Sequence, residues 1–180
     1  MGYRVEVVGH IDVRPALNDA EYGYLWAFAE SSRWDRPEGP FYVPMGPPWA
    51  KERGLVPATR GDGRAAGQPG SWCSWVPSCE GRCLSVFDPT SFKDGKLYSL
   101  TEWLRYLVDA FLRPDALASQ DDSVPDFAAF TFDHVVSGAV AAHRNDTGEL
   151  WLIRAEDNVV VHETIRAGVN YWEEWDDLVF

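Results

Sequence analysis

The side chains of this sequence that can do chemistry are three cysteines, four histidines and a dense set of tryptophans and arginines. Cys73, Cys79 and Cys83 are separated by five and three residues, without the CxxC pairs of a zinc ribbon or finger and without a nearby histidine. They read as small strand hydrophobes. A structural zinc would need His134, His143 or His162 from elsewhere in the chain, so the expectation is no metal and no cofactor. His10 and His143 read as solvent-face strand residues. His134 shares its parity with Phe132 and Val136, which makes it either a hydrogen-bonded core histidine or a pocket residue. In the second role it is the one catalytic candidate, a general base with Asp133 or Glu102 as carboxylate partner. There is no HExxH pattern and no nucleophile elbow. A GxxxxGK[ST] loop is also missing, which excludes nucleotide hydrolysis through a P-loop, and no strand-to-helix turn surrounds Gly61-Asp62-Gly63.

Nine tryptophans are many for 180 residues. Trp34, Trp49, Trp72 and Trp75 lie in or beside a Gly/Pro-rich stretch, residues 34–70, together with Arg33, Arg36, Arg60 and Arg64. Tryptophan offers a flat stacking face and arginine a planar fork for phosphate or carboxylate. Arg33, Trp34, Arg36, Gln68, Trp72, Trp75 and Tyr98 are accordingly the expected contacts of a small anionic aromatic, nucleotide-like ligand. The same residues have plainer uses: Trp72 and Trp75, at opposite parity, would pack on the two sides of a sheet, and Arg33 and Arg36 would pair with Asp35 and Glu38. The acidic aromatic tail, residues 168–180, offers Trp172, Glu173, Trp175 and Asp176 to a basic protein surface, or folds back on the sheet as an amphipathic segment.

The elements that must position these groups follow from periodicity. Tyr3, Val5, Val7, Gly9, Ile11 and Val13 alternate with Arg4, Glu6, His10, Asp12 and Arg14, a long antiparallel strand with one wet face. Asn18-Asp19-Ala20-Glu21 is a capping box that opens a helix to about Ser31, with Tyr22, Leu25, Trp26 and Ala29 as its apolar stripe. Residues 34–70 form one long irregular excursion within a single domain, with a short strand at Phe41 to Val43 and the greatest mobility at 49–66. Ser71 to Val76 and Arg82 to Phe87 form a hairpin. Ser99-Leu100-Thr101-Glu102 reads as a second capping box, opening a helix that ends before Pro114 and buries Leu100, Trp103, Leu104, Leu107, Phe111 and Leu112. After a polar connector at 114–126, alternation from Phe130 to Val140, Leu150 to Ala155 and Val159 to Ile165 gives a three-stranded meander. The fold class is α+β: an antiparallel sheet with two helices on one face, compatible with a ferredoxin-like arrangement ending in that meander.

Composition narrows the function. Apolar residues make up 46% and charged residues 24%, enough to bury a core. The net charge of −12 repels phosphate, so binding along a nucleic-acid backbone is excluded. No apolar run reaches the roughly 20 residues that span a bilayer, and the first ten residues lack a signal-peptide core. With an odd cysteine count, the cytoplasm is the expected compartment.

The run Gln68-Pro69-Gly70-Ser71-Trp72-Cys73-Ser74-Trp75-Val76-Pro77, with Lys96-Leu97-Tyr98, Glu102-Trp103-Leu104-Arg105-Tyr106-Leu107 and Glu156-Asp157-Asn158-Val159-Val160, resembles a family of small proteins of bacteria, especially actinobacteria, and their phages. The resemblance covers most of the chain and implies no activity. It does imply an accessory role in conflict between phage and host. Cys79 and Cys83 depart from the family's pattern. The expected function is a non-enzymatic binding protein for a small anionic aromatic ligand or for a protein of the host, with a homodimer compatible. The alternatives are a small-molecule enzyme using His134 and an inhibitor of proteins acting through its acidic surface.

Overall fold

The computed structural model describes residues 5–33, 37–43, 65, 67–87 and 99–169. β1 (Val5–Arg14) leads through the cap at Asn18 into α1 (Asp19–Glu30), and both halves of the capping box form. Asn18 Oδ1 accepts from the Glu21 amide at 3.0 Å, and the Asn18 amide donates to Glu21 Oε2 at 2.8 Å. β2 (Trp75–Ser78) and β3 (Cys83–Val86) are a hairpin closed by a 3-10 turn over Cys79–Gly81. α2 (Leu100–Leu107) runs on as one π-helical turn, Val108–Leu112, and stops before Pro114. β4 (Val135–Arg144), β5 (Leu150–Glu156) and β6 (Val159–Arg166) complete the meander.

The strands form one antiparallel sheet in the order β2-β3-β1-β4-β5-β6. Its first four strands and the two helices follow the β-α-β-β-α-β path with β3 and β1 each inserted into the other's crossover, which is the ferredoxin-like arrangement. β5 and β6 widen it by two strands. Ile11, Val13, Leu84, Val136, Val140 and Ile153 all point to the helix side and share one core with Phe28, Trp103, Leu104 and Phe111. Burial of these apolar surfaces, at about 25 cal/mol per Å², drives the two helices onto that face.

Two glycines let β1 and β4 approach closely. Gly9 (φ +112°) and Gly138 (φ +140°) adopt backbone angles that side chains rarely accept. A Cβ on Gly9 would collide with Ala139 O, and one on Gly138 would lie 2.9 Å from His10 O.

Several local expectations are corrected. The buried stripe of α1 is Tyr24, Leu25, Phe28 and Ala29 with Glu21, and Tyr22 and Trp26 are only half-buried. Tyr24 and Phe28 win because they interlock with Phe111, at ring distances of 5.4 and 5.2 Å. Phe41 to Val43 form no strand, since Phe41 turns its ring into the core against Phe111 and Phe127. Ser99 makes no side-chain cap, because its left-handed backbone (φ 55°, ψ 35°) replaces the extended angles a cap requires. β4 begins at Val135 rather than Phe130: a 3-10 segment, Pro125–Ala129, precedes it and Phe132 is left-handed at φ 50°. The alternation of Phe130 and Phe132 reports an aromatic cluster with Phe127, not a strand.

Candidate functional site

His134 is wholly buried at the junction of β1, α1 and β4. Its Nδ1 lies 2.8 Å from Pro15 O, an acceptor only, so Nδ1 carries a proton. Nε2 faces Glu21 Oε2 at 3.1 Å and Thr131 Oγ1 at 3.2 Å. The Thr131 hydroxyl and amide both donate to Glu21 Oε1, at 2.9 and 2.7 Å, so the hydroxyl oxygen is left to accept from Nε2. The ring is therefore an imidazolium with every donor used. Burial alone would raise the carboxyl of Glu21, but hydrogen bonds from His134, Thr131 and Asn18 outweigh it and hold Glu21 at about 2. Burial would lower His134, and the Glu21 carboxylate and the Pro15 carbonyl raise it instead. Around it, His134 N donates to Leu112 O at 3.0 Å, and Asn158 Nδ2 donates to His134 O at 3.0 Å. The group ties the ends of β1, α2 and the β5-β6 turn to one point. Asp133 and Glu102 are both exposed and make none of these hydrogen bonds, Asp133 acting on His134 only through its charge.

Four of the expected ligand contacts, Arg33, Gln68, Trp72 and Trp75, are among the described residues. The guanidinium of Arg33 is buried 4.2 Å above the Phe28 ring, and its Nη2 donates to Tyr42 O at 2.9 Å. Gln68 is buried, its Nε2 donating to Pro40 O at 2.7 Å and to Tyr106 Oη at 3.1 Å. Its Oε1 and the indole Nε1 of Trp103 are buried without a hydrogen-bond partner among the described residues. Trp75 fills the core and its Nε1 donates to Leu100 O at 2.8 Å, so its stacking face is spent on packing. Trp72 precedes β2 and is half-buried, so the two tryptophans do not share a strand. Trp34, Arg36, Tyr98, Trp172, Glu173, Trp175 and Asp176 lie outside the described residues.

The sheet face away from the helices carries a second group. His10 and Asp12 project side by side from β1, and Asp12 pairs across with Cys83 of β3. His10 Nε2 is 3.4 Å from Asp12 Oδ1, and Cys83 Sγ is 4.0 Å from the same oxygen. The three ligand atoms all lie within 4.8 Å of one another. The thiol of Cys79, at the hairpin tip, lies outside that group of three and acts on Cys83 as an electrostatic neighbour. Burial first, then Cys79 and Asp12, push the Cys83 thiol up to about 11. Spacing along the chain hides this group, because Asp12 and Cys83 are 71 positions apart and only the register of β1 with β3 joins them.

Farther along the same face, Val8, Ala141 and Leu152 form one rung across β1, β4 and β5, and Ala139, Arg154 and Val161 another across β4, β5 and β6. Val8 is 74% exposed, Val159 63% and Val161 48%. Among the described residues no helix is long and apolar enough to cross a membrane. None of the protein-family models matches the chain, and neither the curated proteins nor the solved structures contain a significant match.

Proposed function

We propose that this chain is a non-enzymatic binding protein that docks a protein partner on the helix-free face of its sheet. The observation that carries this reading is the set of exposed valines on that face, Val8 on β1 and Val159 and Val161 on β6, with Ala139, Ala141 and Leu152 on the strands between them. Water-exposed apolar side chains grouped on one face mark an interaction surface. Glu163 is paired with Arg154 on this face at 2.7 Å, and Glu6, Asp12 and Glu156, with a net charge of −12, favour a partner with basic groups. Under the resemblance to phage and bacterial proteins, that partner is a protein of the host. The test is affinity capture from the protein's own source with the wild type and with a V8D/V161D variant, folding being checked by far-UV circular dichroism. Loss of a captured protein in the variant is expected, and retention of the same protein by both forms sinks the proposal. A halving of native mass in the variant would instead identify the partner as a second copy of the chain. Deleting residues 171–180 separates this surface from the acidic tail, which is the site if capture fails only in the truncated chain.

A second reading rests on Gln68 Oε1 and Trp103 Nε1, a buried acceptor and donor that both neighbour Tyr106. A small polar ligand carrying both a donor and an acceptor would satisfy them. Native mass spectrometry decides it: a co-purifying mass, lost on unfolding and insensitive to V8D/V161D, would move the function to that place. Catalysis by His134 draws no support from its geometry, since both ring nitrogens are already engaged.

A further inference from the structure

We propose that His10, Asp12 and Cys83, with Cys79 as the fourth donor, form a zinc site that clips the β2-β3 hairpin to β1. The site stands independently of the docking reading. Its first support is the donor set. Two sulfurs, one imidazole and one carboxylate are the ligand types that zinc takes in four-coordinate structural sites, and thiolates select zinc over magnesium or calcium.

Its second support is spacing. With metal–ligand bonds of about 2.0–2.3 Å, tetrahedral geometry places the donor atoms roughly 3.3–3.8 Å apart. His10 Nε2 and Asp12 Oδ1 stand at 3.4 Å, and Asp12 Oδ1 and Cys83 Sγ at 4.0 Å. Every pair among the three lies within 4.8 Å, so closure on an ion needs shifts of about 1 Å or less in side chains.

The third support is the rigidity of the frame. His10 and Asp12 are two residues apart on a strand held by β4 along its whole length, and Cys83 is locked opposite Asp12 by the sheet register. Only Cys79 sits on a turn, outside the group of three, and its thiol must swing in from the exposed hairpin tip to fill the fourth position. The half-exposed side chains of His10 and Asp12 leave a path for the ion from solvent. Binding converts two thiols to thiolates and releases two protons to the buffer.

The full chain, stripped with a chelator and kept reduced, is titrated with zinc chloride by calorimetry in two buffers of different ionisation enthalpy. Cobalt chloride serves as a spectroscopic probe. The expected result is one equivalent of zinc, about two protons released, and cobalt bands of a tetrahedral thiolate site. C83S should weaken zinc by at least about 100-fold, the upper end of what losing a mere supporting group costs. H10A gives the same reading on an exposed residue and keeps the test valid if C83S fails to fold. H143A, on the same face outside the cluster, should bind like the wild type. Absence of stoichiometric zinc uptake by the folded wild type, or equal uptake by H10A, overturns the proposal.

Discussion

His10 and His134 both approach a carboxylate and both belong to the frame around β1, yet their surroundings set them to opposite tasks. His134 is sealed from water, and its two nitrogens, the two oxygens of Glu21 and the hydroxyl of Thr131 satisfy one another completely. His10 is half-exposed beside Asp12 and the Cys83 thiol, with a donor set left for something that comes from outside. A histidine-carboxylate contact thus carries little meaning until the remaining valences around it are accounted for. Complete satisfaction marks a structural clamp, and a convergent surplus of ligand atoms marks a site.

The largest effect that tests this contrast belongs to the clamp. His134→Ala leaves Glu21 as a lone buried carboxylate and should destabilise the protein by about 3–5 kcal/mol in urea unfolding. His10→Ala should leave stability without zinc almost unchanged, and equal losses in the two variants would erase the distinction. The pH dependence has two limbs. Glu21, held at about 2 against an ordinary 4.5, contributes stability that is present above pH 4.5 and lost as pH falls through 2. That lowering corresponds to about 3 kcal/mol across the acid limb. His134, raised above 6.5, contributes stability that is present below pH 6.5 and lost as pH rises through its folded value. The pair therefore contributes most between pH 4.5 and 6.5. Glu21→Gln should flatten both limbs of a stability-versus-pH curve, and an unchanged curve would show that the clamp is not an ion pair. Next in size is Gly9→Ala, which forces a Cβ against Ala139 O at a φ of +112° and should cost about 1–3 kcal/mol by thermal unfolding. Restoring zinc should not rescue it, because the strain lies between β1 and β4 and not between β1 and β3. The smallest stability effect belongs to V8D/V161D, within about 0.5 kcal/mol, and a larger loss would mean that the outer face is packed against something within the chain.

Patterns that depend only on near neighbours were legible in the sequence. Alternation in β1, the Asn18–Glu21 box and the last two turns stand where periodicity and turn chemistry put them, and the hairpin forms with its first strand shifted from Ser71 to Val76 onto Trp75–Ser78. The ferredoxin-like order follows from those elements once their lengths are known. What was hidden depends on partners far along the chain. Phe130 and Phe132 alternate like strand residues, but the attraction of Tyr24 and Phe127 coils them instead. Arg33 and Trp75 look like ligand contacts because planar, polar-edged side chains serve both pockets and cores, and here Phe28 and the Leu100 carbonyl occupy them. The His10 cluster was invisible for the same reason in reverse: its members read separately as solvent-face and small strand residues, and pairing of β1 with β3 makes them a set.

Cys73 supplies a clock for the opening of this fold. Its thiol is completely inaccessible, and burial pushes it up to about 12, so it is unreactive toward alkylating reagents while the core is closed. Cys79, exposed at the hairpin tip, reacts without any such opening in the zinc-free chain. With a reagent that traps each opened molecule, labelling of Cys73, told apart from Cys79 and Cys83 by peptide mass, runs at the rate at which the core around it opens. The native chain thus reports the opening of its core through Cys73, with no probe added to its interior.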